Sequence, residues 1–406
     1  MSRPAVGSTV SASNCRTATH DWVSAREAAY DSLVALETIT MALEDSVGRV
    51  LRDDLVALND VPAFRTAAMD GWAVAGPGPW RVSPGTLLAG MSGAPLLEGT
   101  AILIATGAAL PATAEGVLRR EDGLVVDGVL SGRLREGLDY LPAGGECRVG
   151  DRILPAGHIL TPPAVGLAAA CGHDNLHVIR RPTVEILILG DELLSHGSSG
   201  AARVRDSLGP QLPAWVSWLG GDPKPARRLC DELTETTAAL REAAAGADVV
   251  VTTGGTAAGP VDHLHAALRN LDADIVVDGV AARPGHPMVL ALLPEGTPVV
   301  GLPGNPLSAC VSALTLLAPI LARLSGRPLD RLGSAVLTSP VKANGEDVRL
   351  VPVWTSDDYR VTPVDHIGSA MLRGLSAADA VAVVPPNGAD AGTSVQLIAL
   401  PWADRR

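Results

Sequence analysis

The sequence predicts a multidomain α/β protein whose central part is a doubly wound parallel sheet. A chain of 406 residues is too long for a single hydrophobic core. Strand-like and helix-like runs alternate between residues 181 and 328 at the spacing of βαβ units. On either side of that section, short apolar runs stand between glycines and prolines, which is typical of small β domains.

The composition is that of a folded protein and excludes one class of partner. Hydrophobic residues make up 47% of the chain and charged residues 19%, so disorder is not expected. The net charge is −12 and no block of lysines and arginines occurs, which argues against a nucleic-acid backbone as partner. An anionic small ligand remains open, provided that local basic groups or helix N-termini receive it.

Cysteine usage and hydropathy indicate a protein of the cytoplasm. The cysteines are odd in number, and no two are spaced like zinc ligands or a redox pair. The first 20 residues lack the apolar core of a signal peptide, and we expect them to form a disordered tail. No run reaches the ~18 uninterrupted apolar residues of a membrane span, so no membrane partner is expected.

The first part of the chain predicts one helix, then a β section, then a second helix. Ser24 and Glu27 have the spacing of a capping box, and apolar residues recur every three to four positions behind it. After Asp60, short apolar pieces between Gly and Pro predict a turn-rich β section to about Arg135. A helix is then expected at Pro162–Ala170.

The most regular section begins at Pro182. The predicted strands are Val184–Gly190, Asp248–Gly255 and Pro298–Gly301. The predicted helices are Pro210–Leu219, Ala226–Ala245, one from Val261, and one from Pro306 to about Arg323. This alternation implies a parallel sheet covered on both faces. Ser325–Pro328 stops the last helix, and residues 334–400 indicate a compact β domain.

In an open parallel sheet, ligands bind outside the carboxyl ends of the strands. Three loops leave such ends, at residues 190–192, 252–255 and 301–306. In the last loop Asn305 can cap a helix that Pro306 begins, and Gly304 lets a ligand approach the backbone. Free amides and the helix dipole would then form an anion site. Alternatively, both glycine-containing loops only turn a corner.

Four acidic residues stand at loops or helix starts: Asp70, Glu146, Glu192 and Asp262. Taken alone, each of them fits a helix cap or a solvated carboxylate better than a ligand. Mg²⁺ usually takes one or two carboxylates together with substrate phosphate, so two or three of these acids in one cleft would suit it. Their spacing in the sequence leaves open whether they converge.

Seven motifs occur in the order seen in one known family. They are AMDGWAV (68–74), ATGAALP (105–111), LPAGHIL (154–160), LGDEL (189–193), TTGG (252–255) followed by Asp262, RPGHP (283–287) and GLPGNPLSA (301–309). The chain therefore resembles the molybdopterin molybdenumtransferases of the MoeA type, which are related to the gephyrin E domain. Any one motif is weak, but seven in order over residues 23–400 are specific.

The resemblance implies a layout of four domains. A discontinuous domain I would comprise residues 21–58 and 139–180, and a β-rich domain II, residues 59–138, would be inserted into it. Residues 181–328 would form the molybdopterin-binding α/β domain III, and residues 329–406 a C-terminal β domain IV. Family members form homodimers in which the inserted region of one subunit faces the α/β domain of the other.

The resemblance also implies a reaction. Adenylylated molybdopterin and molybdate are the substrates, Mg²⁺ assists cleavage of the phosphoanhydride, and AMP and the molybdenum cofactor are released. Other proteins of molybdenum cofactor biosynthesis are possible partners. Residues matched to catalytic roles are Asp70, Glu146, Glu192, Glu235, Asp262 and Arg283. Residues matched to binding roles are Thr106, Thr252, Thr253, Gly254, Gly255, Pro303, Gly304, Asn305, Pro306 and Ser369.

Roles follow for some of these residues. Asp262 and Glu192 would hold Mg²⁺ on the pyrophosphate. Arg283 would bind an oxyanion through two parallel hydrogen bonds, and Ser369 resembles a serine near the molybdate pocket. Asp70 and Glu146 would orient a nucleophilic oxygen or a cation, and which carboxylate acts as general base stays open.

The chain departs from the family pattern at several places. They are Thr66-Ala67 for Asn-Ser, Leu208 for Asn, Glu235 for Asp, Gly279 for Lys, His286 for Lys, and the region of Val351, where a C-terminal Arg is expected. Arg283 and His286 keep some positive charge, but the two cations expected at Gly279 and near Val351 are missing, so a polyanion should bind more weakly or depend more on metal.

Two functions stay open on these grounds. The first is an active molybdenumtransferase, and the second is a catalytically weakened paralogue that carries molybdopterin or assists assembly. The adenylyltransferase that makes the substrate shares the Thr-Thr-Gly-Gly domain but lacks the flanking sections, so it fits less well.

Overall fold

The computed structural model describes residues 19–135, 137–256, 263–342, 345–356 and 358–403. They form two compact units. The small unit comprises residues 38–179, and the large unit comprises residues 19–37 together with residues 180–403. The predicted domains I to IV divide the chain more finely than this, and their boundaries stay predictions.

The large unit is built on a seven-stranded sheet. From edge to edge its strands are Asp222–Pro223 and Arg227–Leu229, which share one edge, then Thr183–Leu189, Val249–Thr253, Pro298–Leu302, Val289–Leu292 and Asp274–Asp278. The pairings from the first edge through Pro298–Leu302 are parallel. The pairings of the last two strands are antiparallel, so the predicted parallel sheet is mixed at one edge.

Both faces of this sheet are covered, as the alternation of strands and helices predicted. Val250 and Val299 are fully buried in a cluster that also contains Leu240, Leu264 and Leu268 of two helices. Their neighbours along the strands belong to a second cluster, which contains residues of the other two helices. One face is covered by the helices Leu233–Gly246 and Leu264–Asn270, and the other by the helices Leu212–Trp218 and Pro306–Leu324. Each buried Val or Leu side chain contributes roughly 1.5–3 kcal/mol relative to exposure.

One predicted helix in this section begins later than its pattern suggested. The sequence placed it at Ala226–Ala245, but Arg227–Leu229 is a strand and the helix is Leu233–Gly246. The short strand pairs with residues 187–189 and satisfies backbone groups that an open sheet edge would leave exposed. The described part of the helix expected from Val261 is Leu264–Asn270, and Val261 itself lies outside the described residues.

The longest helical segment runs through the centre of the large unit. It consists of Pro306–Ser312, a π-helical turn at Ala313–Leu317, and Ala318–Leu324. It ends as predicted, because Gly326 takes a φ of +73° and the amide of Arg327 bonds back to the carbonyl of Ala322. Among the described residues it is the one stretch long and apolar enough to cross a membrane, and 94% of its apolar window is buried inside the protein.

The first helix of the chain is Trp22–Asp31, and its cap is not the predicted one. The carboxylate of Asp21 accepts hydrogen bonds from the amides of Val23 at 3.0 Å and Ser24 at 3.1 Å, so the helix begins before the predicted capping box. Leu33 and Leu36, which the helical pattern included, lie beyond its end.

This helix belongs to the large unit, whereas the sequence grouped it with residues 139–180. Trp22 is buried, and its indole nitrogen donates to the hydroxyl of Thr315 at 3.0 Å. Arg26 donates to the carbonyl of Leu314 at 2.9 Å. His20, the last residue of the predicted tail, pairs with Val280, while residues 1–18 lie outside the described chain.

The C-terminal part of the large unit is the predicted compact β domain. Its strands are Gly333–Leu337, Val348–Thr355, Arg360–Pro363, Ala380–Val384 and Ser394–Ala399, with a short helix at Arg373–Ala377. These five strands close on themselves, because Val348–Thr355 pairs with both Arg360–Pro363 and Ala380–Val384. A sixth strand, Ala282–Arg283, joins from the preceding section by parallel pairing.

The small unit contains the predicted β section and the predicted helix Pro162–Ala170. Its main sheet has six strands in the order Gly116–Arg119, Gly71–Ala75, Thr100–Ile104, Trp80–Leu87, Val129–Gly132 and Gly123–Val126. A three-stranded sheet has the order Thr38–Ala42, Asn175–Ile179 and Val50–Leu51. Two further pairs join Tyr140–Leu141 with Thr66–Ala67, and Arg152–Leu154 with Leu55–Val56.

The observed cap gives a stability prediction. Asp21→Ala should lower the free energy of unfolding by about 1 kcal/mol, because two amides of the first helical turn lose their acceptor. Glu27→Ala, at the position of the expected capping box, should change it by less than about 0.5 kcal/mol, because Glu27 is exposed. Urea denaturation of the full chain measures both values. If Glu27→Ala lowers the free energy of unfolding more than Asp21→Ala does, the helix is capped at Ser24, as the sequence predicted.

Candidate functional site

The carboxyl ends of three neighbouring strands meet at one edge of the central sheet. In the parallel register Ile188 lies opposite Thr253, and Thr253 lies opposite Leu302. The loops that follow these strands therefore emerge side by side. This confirms that the three predicted loops converge.

A cavity of about 670 Å³ lies among these loops. Eight of the predicted site residues line it: Glu192, Thr253, Gly254, Gly255, Pro303, Gly304, Asn305 and Pro306. Further lining residues come from the segment after the strand pair Leu193–Leu194 and Val204–Arg205, which includes Asp206 and Leu208. A volume of this size accepts a small organic molecule.

Two glycine corners form the floor of this cavity. Gly254 has a φ of +81°, and a Cβ built on it would lie 3.3 Å from the carbonyl oxygen of Leu189. A Cβ on Gly304 would lie 3.7 Å from the Cα of Gly254. The corners are thus adjacent, and backbone rather than side chain faces the space between them.

The amides at these corners are only partly available to a ligand. The sequence predicted free amides at the start of the helix Pro306–Ser312, but Leu307 and Ser308 donate to the carbonyl of Ser369 at 2.9 and 3.2 Å. The amide of Gly254 donates to Leu302 at 2.9 Å. Among the described residues, no acceptor lies within hydrogen-bond distance of the amides of Gly255, Gly304 and Asn305.

Two acidic residues at the cavity were not among the predicted site residues. Asp206 is buried, and its carboxylate accepts from the amides of Leu208 and Gly209, both at 2.9 Å. Asp231 also lines the cavity, and its amide and carboxylate exchange hydrogen bonds with Asp191. The signal for Asp206 was its position two residues before Leu208, which the sequence analysis noted only as a departure from the family pattern.

The loop that carries Glu192 is held by two arginines. Arg203 and Arg228 both donate to the carbonyl of Leu193, at 3.2 and 2.6 Å. Arg203 also reaches the carbonyl of Asp191 at 3.1 Å, and Arg228 that of Gly190 at 3.4 Å. These charge-assisted bonds determine where the Glu192 carboxylate enters the cavity.

The predicted magnesium site is supported only by the chemistry of its donors. Asp262 lies outside the described residues. Among the described residues, no three His, Cys, Asp or Glu side chains are grouped as metal ligands. Mg²⁺ usually takes one or two carboxylates and completes its shell with water and phosphate, so Glu192 and Asp231 at one cavity suit it.

A second cavity of about 410 Å³ adjoins the first and shares Pro287, Pro303 and Asn305 with it. Its lining includes Arg283 and Ser369, as the resemblance implied for an oxyanion pocket. The Nε atom of Arg283 donates to the carboxylate of Asp347 at 2.8 Å, and two thirds of the arginine side chain remains exposed.

Sequence reasoning missed one cation of this second cavity. It expected a C-terminal arginine to be absent near Val351, but Arg349 lines the cavity beside Arg283. The parallel pairing of Ala282–Arg283 with Val348–Thr355 places Arg283 opposite Arg349. This pairing joins segments more than sixty residues apart, so no local pattern could reveal it.

Two predicted residues of the large unit do not line either cavity. Thr252 is fully buried in the sheet, and its hydroxyl has no hydrogen-bond partner among the described residues. Glu235 lies in the first turn of the helix Leu233–Gly246, beside Cys230. The negative charge of Glu235 raises the pKa of the Cys230 thiol, with burial and Asp191 adding to the effect.

The remaining predicted residues lie in the small unit. The carboxylate of Asp70 accepts from the amide of Thr106 at 2.8 Å and from its hydroxyl at 2.9 Å, so the structure brings these two residues together. The backbone hydrogen bond first, and the hydroxyl bond second, hold the pKa of Asp70 below its usual value. Asp70 is exposed and stays ionised at neutral pH.

Glu146 stands on an exposed turn of the small unit, next to a pair of thiols. The Sγ atoms of Cys147 and Cys171 are 3.5 Å apart and buried, although their spacing in the sequence did not suggest a pair. Burial, followed by the hydrogen bond with Cys147, raises the pKa of Cys171 to about 11, and Glu146 adds to that shift. Both thiols are free, and the thiol of Cys171 is protonated at neutral pH.

Three family models match the chain in sequence order. The MoeA N-terminal region (domain I and II) matches residues 21–172. A probable molybdopterin binding domain matches residues 185–323, which contain both glycine corners. The MoeA C-terminal region (domain IV) matches residues 334–400.

Individual relatives match over nearly their whole length. The chain is 29% identical to a molybdopterin molybdenumtransferase of Bacillus subtilis (strain 168) over 386 residues, which are 89% of this chain and 90% of that protein. It is 27% identical to one from Staphylococcus aureus (strain COL) over 385 residues, 90% of this chain and 91% of that protein. A crystal structure of a molybdopterin biosynthesis MoeA protein from Pyrococcus horikosii is 27% identical, with a TM-score of 0.77 over 94% of this chain and 99% of that chain.

The Asp70 geometry gives a prediction for its titration. Thr106→Val should raise the pKa of Asp70 toward its ordinary value, because the hydroxyl donor is lost while the amide donor remains. Since the folded pKa is depressed, the stability that this carboxylate contributes is present above the unfolded pKa and falls as pH drops through the folded one. Carboxyl NMR titration of Asp70 measures the change. An unchanged titration would show that the hydroxyl bond is not formed in solution.

Proposed function

The chain belongs to the MoeA family of molybdenum cofactor biosynthesis, and we propose that it is a molybdopterin molybdenumtransferase. It inserts molybdenum from molybdate into adenylylated molybdopterin and releases AMP. One observation carries this proposal. A cavity bounded by glycine corners adjoins a cavity bounded by two arginines, in one compact unit.

The larger cavity receives the pterin and its phosphates. The adjacent corners at Gly254 and Gly304 leave backbone exposed on its floor, which suits a flat ring lying against them. The amides of Gly255, Gly304 and Asn305 would donate to the phosphates, since they have no acceptor among the described residues. Thr253 borders the same space.

The smaller cavity receives molybdate. Arg283 and Arg349 provide two permanent positive charges, and Ser308 and Ser369 provide hydroxyl groups. Because the two cavities share Pro303 and Asn305, an oxyanion in one lies next to a pterin in the other. Proximity of the two substrates lowers the entropic part of the barrier.

A magnesium ion held by Glu192 and Asp262 would neutralise charge on the pyrophosphate while the phosphoanhydride is cleaved. Arg203 and Arg228 hold the loop of Glu192, which supports this proposed role. Asp231 at the same cavity is a further carboxylate donor. The proposed dependence of the reaction on Mg²⁺ rests on these three carboxylates.

The small unit supplies Asp70 and Glu146. Asp70 is ionised and held by Thr106, so it can accept a proton or bind a cation without rearrangement. The proposal follows the family arrangement, in which the chain forms a homodimer and these acids serve a neighbouring active site. It also places the protein in the cytoplasm, with other proteins of molybdenum cofactor biosynthesis as partners.

A second function is favoured by one specific position. Gly279 stands where the family has a lysine, and its φ of +81° belongs to the left-handed region that disfavours any side chain. A chain that lacks this cation would hold its polyanionic substrate less firmly during turnover. The alternative is therefore a molybdopterin-binding paralogue that carries the cofactor or assists assembly.

One experiment separates the two functions. Purified protein is given adenylylated molybdopterin, molybdate and Mg²⁺, and AMP is measured over time. Repeated turnover supports the transferase, whereas tight binding with at most one AMP per protein supports the carrier. A protein that does not bind adenylylated molybdopterin and releases no AMP would contradict both functions.

Gly304→Val tests the position of the pterin. A Cβ at Gly304 meets nothing closer than 3.7 Å, so the fold should survive the change. A branched side chain would nevertheless fill the floor of the cavity, and binding of molybdopterin should be lost. Gly166→Val, on the exposed side of the helix Pro162–Ala170 in the small unit, controls for general effects of the substitution, because its Cβ meets nothing within 4 Å. Molybdopterin fluorescence measures binding, and retained affinity in Gly304→Val would exclude this placement.

Asp262→Ala tests the metal ligand. We expect Mg²⁺-dependent AMP release to fall by about two orders of magnitude or more, because charge on the pyrophosphate is no longer neutralised. Molybdate binding at the second cavity should be unchanged. Asp272→Ala, an exposed carboxylate beyond the helix Leu264–Asn270, is the control. Equal activity of Asp262→Ala and the unmodified chain would refute the assignment.

A further inference from the structure

Two buried cysteines of the small unit lie side by side, and neither belongs to the cavities described above. The Sγ atoms of Cys147 and Cys171 are 3.5 Å apart, and both thiols are free. A disulfide bond is about 2.05 Å long, so the two sulfurs need to approach each other by roughly 1.5 Å. A small movement of the side chains is therefore enough to join them.

One short backbone segment, residues 58–61, brings the two cysteines together. The amide of Val61 donates to the carbonyl of Cys147 at 2.9 Å, and the amide of Cys147 donates back at 3.4 Å. The amide of Leu58 donates to the carbonyl of Cys171 at 2.9 Å. Cys171 also ends the helix Pro162–Ala170, where its own amide donates back into the last turn. The proximity of the thiols is thus fixed by the main chain on both sides.

The surroundings of the thiols are apolar. Ala57 is buried with them, and the half-buried side chains of Val61, Ile153 and Leu167 pack against this cluster. A disulfide is apolar and has no S–H donor, so its formation here would leave no buried polar group without a partner. Among the described residues, the pair belongs to no group of three metal-ligating side chains. The environment therefore favours oxidation of the pair over metal binding.

We propose that Cys147 and Cys171 form a redox-sensitive site, which hydrogen peroxide oxidises to an intramolecular disulfide and a small dithiol reduces again. The proposal is independent of the reaction assigned to the large unit. The disulfide closes the loop from residue 147 to residue 171, and so stabilises the small unit by restricting its unfolded state. In a reducing compartment such a disulfide is transient, and the dithiol is the resting form.

The two cysteines have different roles in this oxidation. Cys147 is 7% exposed and Cys171 is fully buried, so peroxide reaches Cys147 first. The Cys147 thiolate attacks one peroxide oxygen and the O–O bond breaks. A sulfenic acid forms, and the departing hydroxide takes up the proton that the thiol had released. The sulfur of Cys171 then attacks the sulfur of Cys147, and the sulfenic oxygen leaves as water with the proton of Cys171.

The burial of Cys171 supports its role as the second thiol to react. Burial, followed by the hydrogen bond with Cys147, raises the pKa of Cys171 to about 11, and a protonated thiol reacts little with peroxide. The same thiol can attack a sulfenic acid that is held beside it, because proximity compensates for its low reactivity. Cys310 provides a comparison, since burial raises its pKa to about 12 and its sulfur contacts Gln211 instead of a thiol.

Thiol titration and mass spectrometry of the full chain test the proposal. Cys15→Ala and Cys230→Ala are introduced first, because Cys230 is exposed and Cys15 lies outside the described residues. After treatment with hydrogen peroxide, two thiols should be lost and a peptide pair joined through Cys147 and Cys171 should appear. Dithiothreitol should restore both thiols. The urea midpoint of the small unit, followed by hydrogen exchange, should rise by about 1 M on oxidation.

Single variants test the order of the two steps. In Cys171→Ala the sulfenic acid of Cys147 should accumulate and be trapped by dimedone, because the thiol that would consume it is missing. In Cys147→Ala the thiol of Cys171 should survive peroxide, as the thiol of Cys310 does. Equal dimedone labelling of the two variants would refute the assigned order.

The decisive measurement is made on the chain with both cysteines, so it does not depend on the folding of a variant. If peroxide leaves both thiols of the pair intact, the proposal is wrong. It is equally wrong if the lost thiols are found as sulfinic acids or in a disulfide between two chains, because the geometry predicts a bond within one chain.

Discussion

The parallel register of three central strands determines where the candidate site lies. Thr183–Leu189, Val249–Thr253 and Pro298–Leu302 end at the same edge, because each pairs with its neighbour over four or five residues. Loops from distant parts of the chain are thereby brought together without any direct signal between them. Burial of both faces holds that register, since a slip by one residue would exchange the two clusters of side chains.

Charge is distributed unevenly over the two cavities. Carboxylates of Glu192, Asp206 and Asp231 border the larger one together with Arg205, and Arg283 and Arg349 border the smaller one. With three carboxylates against one arginine, a phosphorylated pterin in the larger cavity needs a metal cation or backbone amides as well. An oxyanion in the smaller cavity meets permanent charges directly. This division fits a reaction in which one substrate carries a pyrophosphate and the other is a small dianion.

The hydrogen bonds at the helix start Pro306–Ser312 limit how an anion can bind. Ser369, from the C-terminal β domain, already accepts from Leu307 and Ser308. The helix dipole therefore acts on the carbonyl of a neighbouring segment, and a ligand must use the amides of the preceding corner. The same contact ties the C-terminal β domain to the sheet edge, so that Arg349 and Ser369 reach the cavity.

Local patterns and the order of motifs were enough to predict the alternation of strands and helices, the three loops at the sheet edge and the family. They also located the glycine corners, since Thr-Thr-Gly-Gly and Pro-Gly-Asn-Pro directly follow buried strands. The folded chain was needed to show that Arg349 joins Arg283, that Ser369 occupies two amides of the helix start, and that Thr252 and Glu235 lie away from the cavities. These depend on pairing and packing between residues far apart in the chain, for which local propensity carries no information.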